Sequence, residues 1–162
     1  MTNNRIKVIT ANAIITALYV ALSFISPLSS GAIQFRLSES LNHLVVFNRK
    51  LLWGVFAGVV VFNLLFGEGP LDVIFGGAQT LLALLLTAVL EKKVPNIKAR
   101  LVLNTLFFTF SMFLIALMLT LTAELPFWFT YLTTALSELI IMSISAPVMY
   151  FIDKNLHFSK QV

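Results

Sequence analysis

The chain is built from apolar runs long enough to cross a lipid bilayer, and this constrains its fold more than any motif does. The runs cover residues 6–25, 51–66, 71–90, 101–121 and 126–152. A helix rises about 1.5 Å per residue and a bilayer core is about 30 Å thick, so roughly 20 apolar residues span it. A further run, 37–47, is shorter and is interrupted by Glu39, Asn42 and His43. None of the runs alternates with period two, which favours helices over a transmembrane barrel. Composition agrees. The chain is 59% hydrophobic and 11% charged, whereas soluble domains carry about 25% charged residues. That is too little polar surface for an ordinary soluble domain and too much hydrophobicity for disorder. The expected fold is an all-α integral membrane protein. It is a six-transmembrane-helix bundle with short loops, one domain over residues 1–162, in which helix 2 is short or irregular.

The charges orient the bundle. Lys and Arg concentrate on the cytoplasmic side of membrane proteins. With six crossings and both termini cytoplasmic, Arg36 is the one exception among eleven basic residues, a split of ten to one. With five crossings and the N-terminus outside, Arg36 joins the majority while Arg5 and Lys7 leave it, giving nine to two. The rule prefers six crossings by a small margin. In both arrangements the outer loops at 67–72 and 122–126 hold Glu68, Asp72 and Glu124 and no basic residue. The sequence pI of 9.6 then reflects orientation in a membrane, not nucleic-acid binding. The first run is longer than a signal-peptide core and is read as a retained helix.

Several chemistries are absent. There is no cysteine, so disulfides, thiolate metal sites and cysteine nucleophiles are excluded. No phosphate-binding loop, H-E-x-x-H or G-x-S-x-G motif occurs, and two histidines are too few for a histidine-rich metal site. The sequence therefore predicts no enzyme, no cofactor and no metal. Any ATP-driven work must be done by another subunit.

Polar side chains inside a membrane are costly and mark functional sites by default. Arg36, Glu39 or Ser40, and His43 have the three- or four-residue spacing that places side chains on one α-helical face. A guanidinium, a carboxylate and an imidazole there suit a polar ring compound, with Gln34 just before them. An internal Arg36–Glu39 pair that only shapes the helix entry is the alternative. Asp72 follows Pro70, where it either meets a ligand or caps a helix. Gly76 and Gly77 permit close approach of a ligand or a neighbouring helix, and Gln79 and Thr80 lie two turns deeper, where they suit a neutral heterocycle or hydrogen-bond helix to helix. Glu138 lies near mid-membrane in the last run, where it contacts ligand or pairs with Arg36 or His43. Trp128 and Phe129, near the outer interface, fit an aromatic belt, with stacking on a ligand as the alternative. Ala13, Ala17 and Ala21 form a ridge of methyls on one face, open either to a partner helix or to packing inside the bundle; Gly54 and Gly58 form a second small pair.

The alanine ridge, the stretch Gln34-Phe-Arg-Leu-Ser-Glu-Ser-Leu-Asn-His-Leu and the stretch Asp72-Val-Ile-Phe-Gly-Gly resemble the S components of energy-coupling-factor vitamin transporters. These are the substrate-capturing membrane subunits of such importers. The stretches look closest to the branch for queuosine precursors; neighbouring branches take hydroxymethylpyrimidine or pyridoxine-like compounds. The resemblance implies that Ala13, Ala17 and Ala21 dock on a transmembrane coupling subunit held by two ATPase subunits. It implies a prokaryotic cell membrane and a small heteroaromatic substrate taken from outside. The residues expected to contact it are Gln34, Arg36, Glu39, His43, Asp72, Gln79 and Glu138. Two other readings stay open on residues alone. One is a stand-alone proton-coupled carrier with Glu138, His43 and Glu39 as a relay; the other is a membrane assembly subunit without a ligand.

Overall fold

A computed structural model of the chain describes residues 2–25 and 35–161. The expected ligand contact Gln34 and the loop before it lie outside the described residues. Among the described residues the regular elements are helices: α1 Thr2–Ile25, α2 Leu44–Phe47, α3 Leu52–Phe66, α4 Pro70–Lys93, α5 Ile97–Ser111, α6 Phe113–Ala123, α7 Phe127–Leu156 and α8 Phe158–Gln161. Short 3-10 helices, Leu37–His43 and Arg49–Leu51, lead into α2 and α3. Five stretches are long and apolar enough to cross a membrane: Asn4–Ile25, Arg49–Phe66, Pro70–Lys93, Ile97–Ala123 and Phe127–Leu156. They match the five long runs of the sequence. The chain is thus a multi-pass membrane protein.

Local chemistry sets the helix ends. Pro70 opens α4, where its missing N–H costs nothing. The Asn96 side chain caps α5 by accepting from the amides of Lys98 and Ala99. Lys92 and Lys93 close α4, where cations complement the helix dipole. The run 101–121 is one span by composition, but the chain breaks it at Met112 into α5 and α6. Pro147 stands inside α7.

The α1–α3 pair organises the rest. Asn12 donates to the Lys50 carbonyl at 3.0 Å, and Thr16 donates to the Gly54 carbonyl at 2.9 Å. Higher up, Tyr19 packs on Gly58, and the Phe24 and Phe66 rings meet edge-on at 4.6 Å. Numbers rise together along both helices, so they run parallel. Their contact needs the two glycines: a Cβ on Gly54 would sit 2.7 Å from the Asn12 carbonyl oxygen, and one on Gly58 would strike the Tyr19 side chain. The small pair in α3 therefore serves packing inside the bundle.

Parallel neighbours joined by one connection require the chain to travel back between them. It does so through 37–47. Ser38 lies at the level of Ser23, bonded hydroxyl to hydroxyl at 2.7 Å, and Lys50 lies at the level of Asn12. The drop is eleven residues of α1, about 16 Å. This segment runs inside the protein: Ser38, Glu39, Asn42, His43 and Leu44–Phe47 are all buried. Irregular backbone at membrane depth is tolerated only under such cover.

Nearer the end that carries Arg49 and Lys98, a buried polar chain ties four elements together. Thr87 donates to Asn104 Oδ1 at 2.6 Å. The Asn104 amide nitrogen lies 3.0 Å from His43 Nδ1, and His43 Nε2 lies 3.0 Å from the Met142 carbonyl oxygen. The carbonyl can only accept, so Nε2 carries the proton and Nδ1 accepts. The main buried cluster of the bundle includes Val45, Val59, Leu84, Phe108 and Met142, with the Tyr19 ring packed among them. The outward faces of the helices are apolar, as lipid requires: Ile9, Leu64, Val102 and Leu132 are all exposed.

The bundle ends differ in charge. Arg49 pairs with Glu91 at 3.3 Å, Lys98 and Lys154 both approach the Tyr150 ring, and Arg5 shares a shallow groove with Lys50. Arg36, Glu68 and Asp72 occupy the other end. Replacing Asn104 by Ala leaves Thr87 and His43 without their buried partners. It is expected to cost about 1–3 kcal/mol in denaturant unfolding of the detergent-solubilised protein, while Thr122→Ala, at a half-buried hydroxyl bonded within its own helix, changes stability by under about 0.5 kcal/mol.

Candidate functional site

The 3-10 geometry of Leu37–His43 decides which polar groups meet. A 3-10 helix has about 3.0 residues per turn, so residues three apart eclipse. Arg36, Glu39 and Asn42 therefore share a face, and His43 turns away from it. This differs from the α-helical spacing that grouped Arg36, Glu39 and His43. Glu39 Oε1 accepts from the Tyr19 hydroxyl and Oε2 from the Asn42 amide, each at 2.6 Å. The Arg36 guanidinium lies over the Phe62 ring, 5.4 Å from its centre.

This face forms one wall of a cavity in the half of the bundle opposite the basic residues. Tyr19, Arg36 and Glu39 line it from α1 and the internal segment; Asn63, Asp72, Gln79 and Thr80 line it from α3 and α4. Met112, Ile115 and Met118 close the far side with apolar surface. The free volume is about 30 Å³, which suits water and is too small for a heterocycle. Entry of a ring compound thus requires the walls to move, and the methionines are the most adaptable of them.

The polar groups of the opposite wall are held in place. Gln79 donates to Ser111 at 2.9 Å and accepts from Thr80 at 3.0 Å. Asn63 donates to the Asp72 carbonyl at 3.0 Å. Gly76 makes this possible, because a Cβ there would collide with the Asn63 amide. The Asp72 carboxylate accepts from the Glu68 amide in the turn before α4, and so ties that turn down rather than capping the helix.

The cavity brings together Arg36, Glu39, Asp72 and Gln79 of the expected contacts. His43 and Glu138 do not line it. Both ring nitrogens of His43 are engaged in the bundle, and the residue is fully buried. Glu138 is 1% exposed, its Oε1 has no hydrogen-bond partner, and its charged neighbours are Glu39 and Arg36. Sequence reasoning missed Tyr19 and Asn63. Asn63 left a signal, as an amide within the apolar run 51–66; Tyr19 left none stronger than a phenol within a long apolar helix.

The alanine ridge points the other way. Ala13, Ala17 and Ala21 are exposed on α1, while Ile15, Tyr19 and Ser23 of the same helix are buried. The methyls take no part in packing inside the bundle. Trp128 is also exposed, as an aromatic-belt residue is.

Comparison with known proteins gives this architecture a family. The chain is 37% identical over 158 positions to the queuosine precursor transporter QueT of Lactococcus lactis subsp. cremoris, and the match covers 91% of this chain and 93% of that protein. No solved structure matches. The model of the QueT transporter family fits residues 9–154, from within α1 to near the end of α7, and includes the buried segment between α1 and α3. The chain belongs to the QueT transporter family.

Proposed function

We propose that the chain is the substrate-capturing S component of an energy-coupling-factor importer and that it takes up a queuosine precursor. The observation that carries this reading is the cavity itself. It sits at the acidic end of the bundle, and it offers a guanidinium, carboxylates and amides to one small polar ring. The named relative transports queuosine precursors, and the ligand of this chain is of the same heteroaromatic class. In this reading the acidic end faces outward and the basic end inward, by the positive-inside rule. The parallel course of α1 and α3 supports six crossings with both termini cytoplasmic, the second crossing being the short buried segment. The protein resides in a prokaryotic cell membrane.

Capture involves no chemistry on the ligand. Tyr19 and Asn42 hold the Glu39 carboxylate, and Ser111 and Thr80 hold Gln79, so the polar groups are oriented before ligand arrives. Such preorganisation lowers the entropic cost of binding. The exposed ridge of Ala13, Ala17 and Ala21 then docks on the transmembrane coupling subunit, and two ATPase subunits supply the energy. Small side chains allow close helix approach in lipid, where packing drives association.

Binding is measured by thermal shift and calorimetry on the purified protein with a queuosine precursor. Stabilisation is expected, and replacing Arg36 or Gln79 by Ala weakens affinity about tenfold or more, or about 1.4 kcal/mol. No stabilisation by any such precursor overturns the reading. Ala17→Trp tests docking separately. Because Ala17 is exposed, the substitution leaves the bundle intact: ligand affinity stays within about twofold, while uptake and copurification with the coupling subunit are lost. Uptake by the protein alone in vesicles, driven by a proton gradient without ATP, would instead establish a stand-alone carrier.

A further inference from the structure

The helices around the internal segment leave it uncovered on one side. α1 and α7 both pack on Leu37–His43 and scarcely touch each other. Between them runs a groove of about 530 Å³. Leu41 and Leu44, both buried, form its floor. Ile14 and Leu18 on one rim and Leu156 on the other are exposed. Gln161 of α8 is the one polar side chain that lines the groove. Such a surface does not suit water, which needs several polar partners. It faces hydrocarbon, and irregular backbone behind it has to be covered. At the basic end of the bundle the character of the surface changes. Lys50, next to Leu51 of the groove, and Val8, one turn before Ala11 of the groove, line a second, shallower groove with Arg5. Arg5 and Lys50 are exposed, and among the described residues neither pairs with a carboxylate.

We propose that the groove between α1 and α7 binds one anionic phospholipid, with an acyl chain over Leu41 and Leu44 and the phosphate at Arg5 and Lys50. The apolar groove opens sideways to the bilayer, so an acyl chain reaches it without leaving hydrocarbon. Contact with the apolar floor is indifferent to the headgroup, because it depends on apolar area alone. The choice of headgroup falls to the two cations at the mouth. Each basic residue at an anionic membrane surface adds about fivefold to binding, so two of them favour an anionic over a zwitterionic headgroup by roughly 25-fold. No carboxylate lines either groove to oppose them. The lipid completes the cover of the segment on the side that the helices leave open, behind the face that carries Glu39 and Asn42. The proposal concerns a surface apart from the ligand cavity and stands independently of the importer reading.

The test titrates the detergent-solubilised full chain with dioleoyl phosphatidylglycerol and with dioleoyl phosphatidylcholine, and reads bound lipid by native mass spectrometry. The unaltered protein is expected to hold one phosphatidylglycerol at least about tenfold more tightly than phosphatidylcholine. Equal affinity for the two lipids overturns the proposal, and this comparison needs no variant to fold. Arg5→Gln with Lys50→Gln, both at exposed positions, is expected to bring the two affinities within about twofold by weakening phosphatidylglycerol alone. Lys92→Gln with Lys93→Gln removes the same charge from the end of α4, away from the groove, and is expected to keep the preference. If that pair abolishes it equally, the preference reflects diffuse charge and the site is overturned. Leu18→Trp fills the groove from its exposed rim and is expected to weaken both lipids. Unchanged lipid binding by Leu18→Trp, with loss of copurification of the coupling subunit, gives the groove to a partner helix and overturns the lipid.

Discussion

The structure depends on hiding the backbone and polar side chains of residues 37–47 from lipid. An unsatisfied backbone group in hydrocarbon costs several kcal/mol on the order that drives helix formation itself. A segment that begins as a 3-10 helix and carries Glu39, Asn42 and His43 cannot face a bilayer. Its cover comes from α1, α3, α4, α5 and α7, and its own polar groups reach into that cover. Glu39 meets Tyr19 of α1, and His43 meets Asn104 of α5 and the Met142 carbonyl of α7. The segment is both the cargo of the bundle and the peg around which the helices assemble.

That arrangement also creates the cavity. The segment enters near Ser23 and leaves near Asn12, so its polar beginning lies in the acidic half and its apolar end, Leu44–Phe47, in the basic half. The acidic half retains polar groups facing inward from three directions. The basic half is tightened by Asn104 and by aliphatic packing. The same helix, α1, serves two surfaces: its Tyr19 face closes the cavity and its alanine face is left open. A helix with one face buried and a smooth apolar face exposed is suited to meeting another helix in the membrane.

Much of this was legible in the residues. The five long runs became five helical spans, one of them broken at Met112, and Pro70 and Asn96 stand where helices begin. Arg36, Glu39, Asp72 and Gln79 line one cavity. Other features were not legible. His43 looked equivalent to Glu39 as a polar group on an α-helical face, yet it braces the core. Tyr19 gave no pattern, because its partner Glu39 is twenty residues away and their meeting depends on the path of the chain between them. The small pairs were indistinguishable by spacing: Gly54 and Gly58 pack inward, whereas Ala17 and its neighbours face outward.

The sequence by itself determined the solvent, the helices and which end of the bundle is basic. Hydrophobic length and the scarcity of charge dictate a bilayer, and the clustering of Lys and Arg between spans dictates that one end is basic. These properties are sums over local residues, so order along the chain suffices. Tertiary structure alone decided the pitch of the 37–43 segment. Packing in a crowded, protein-lined core held it at about three residues per turn rather than 3.6. That change of period rotates Asn42 toward Glu39 and His43 away, and so fixes which side chains form the site. Such a choice depends on neighbours far away in sequence, and no local pattern encodes it.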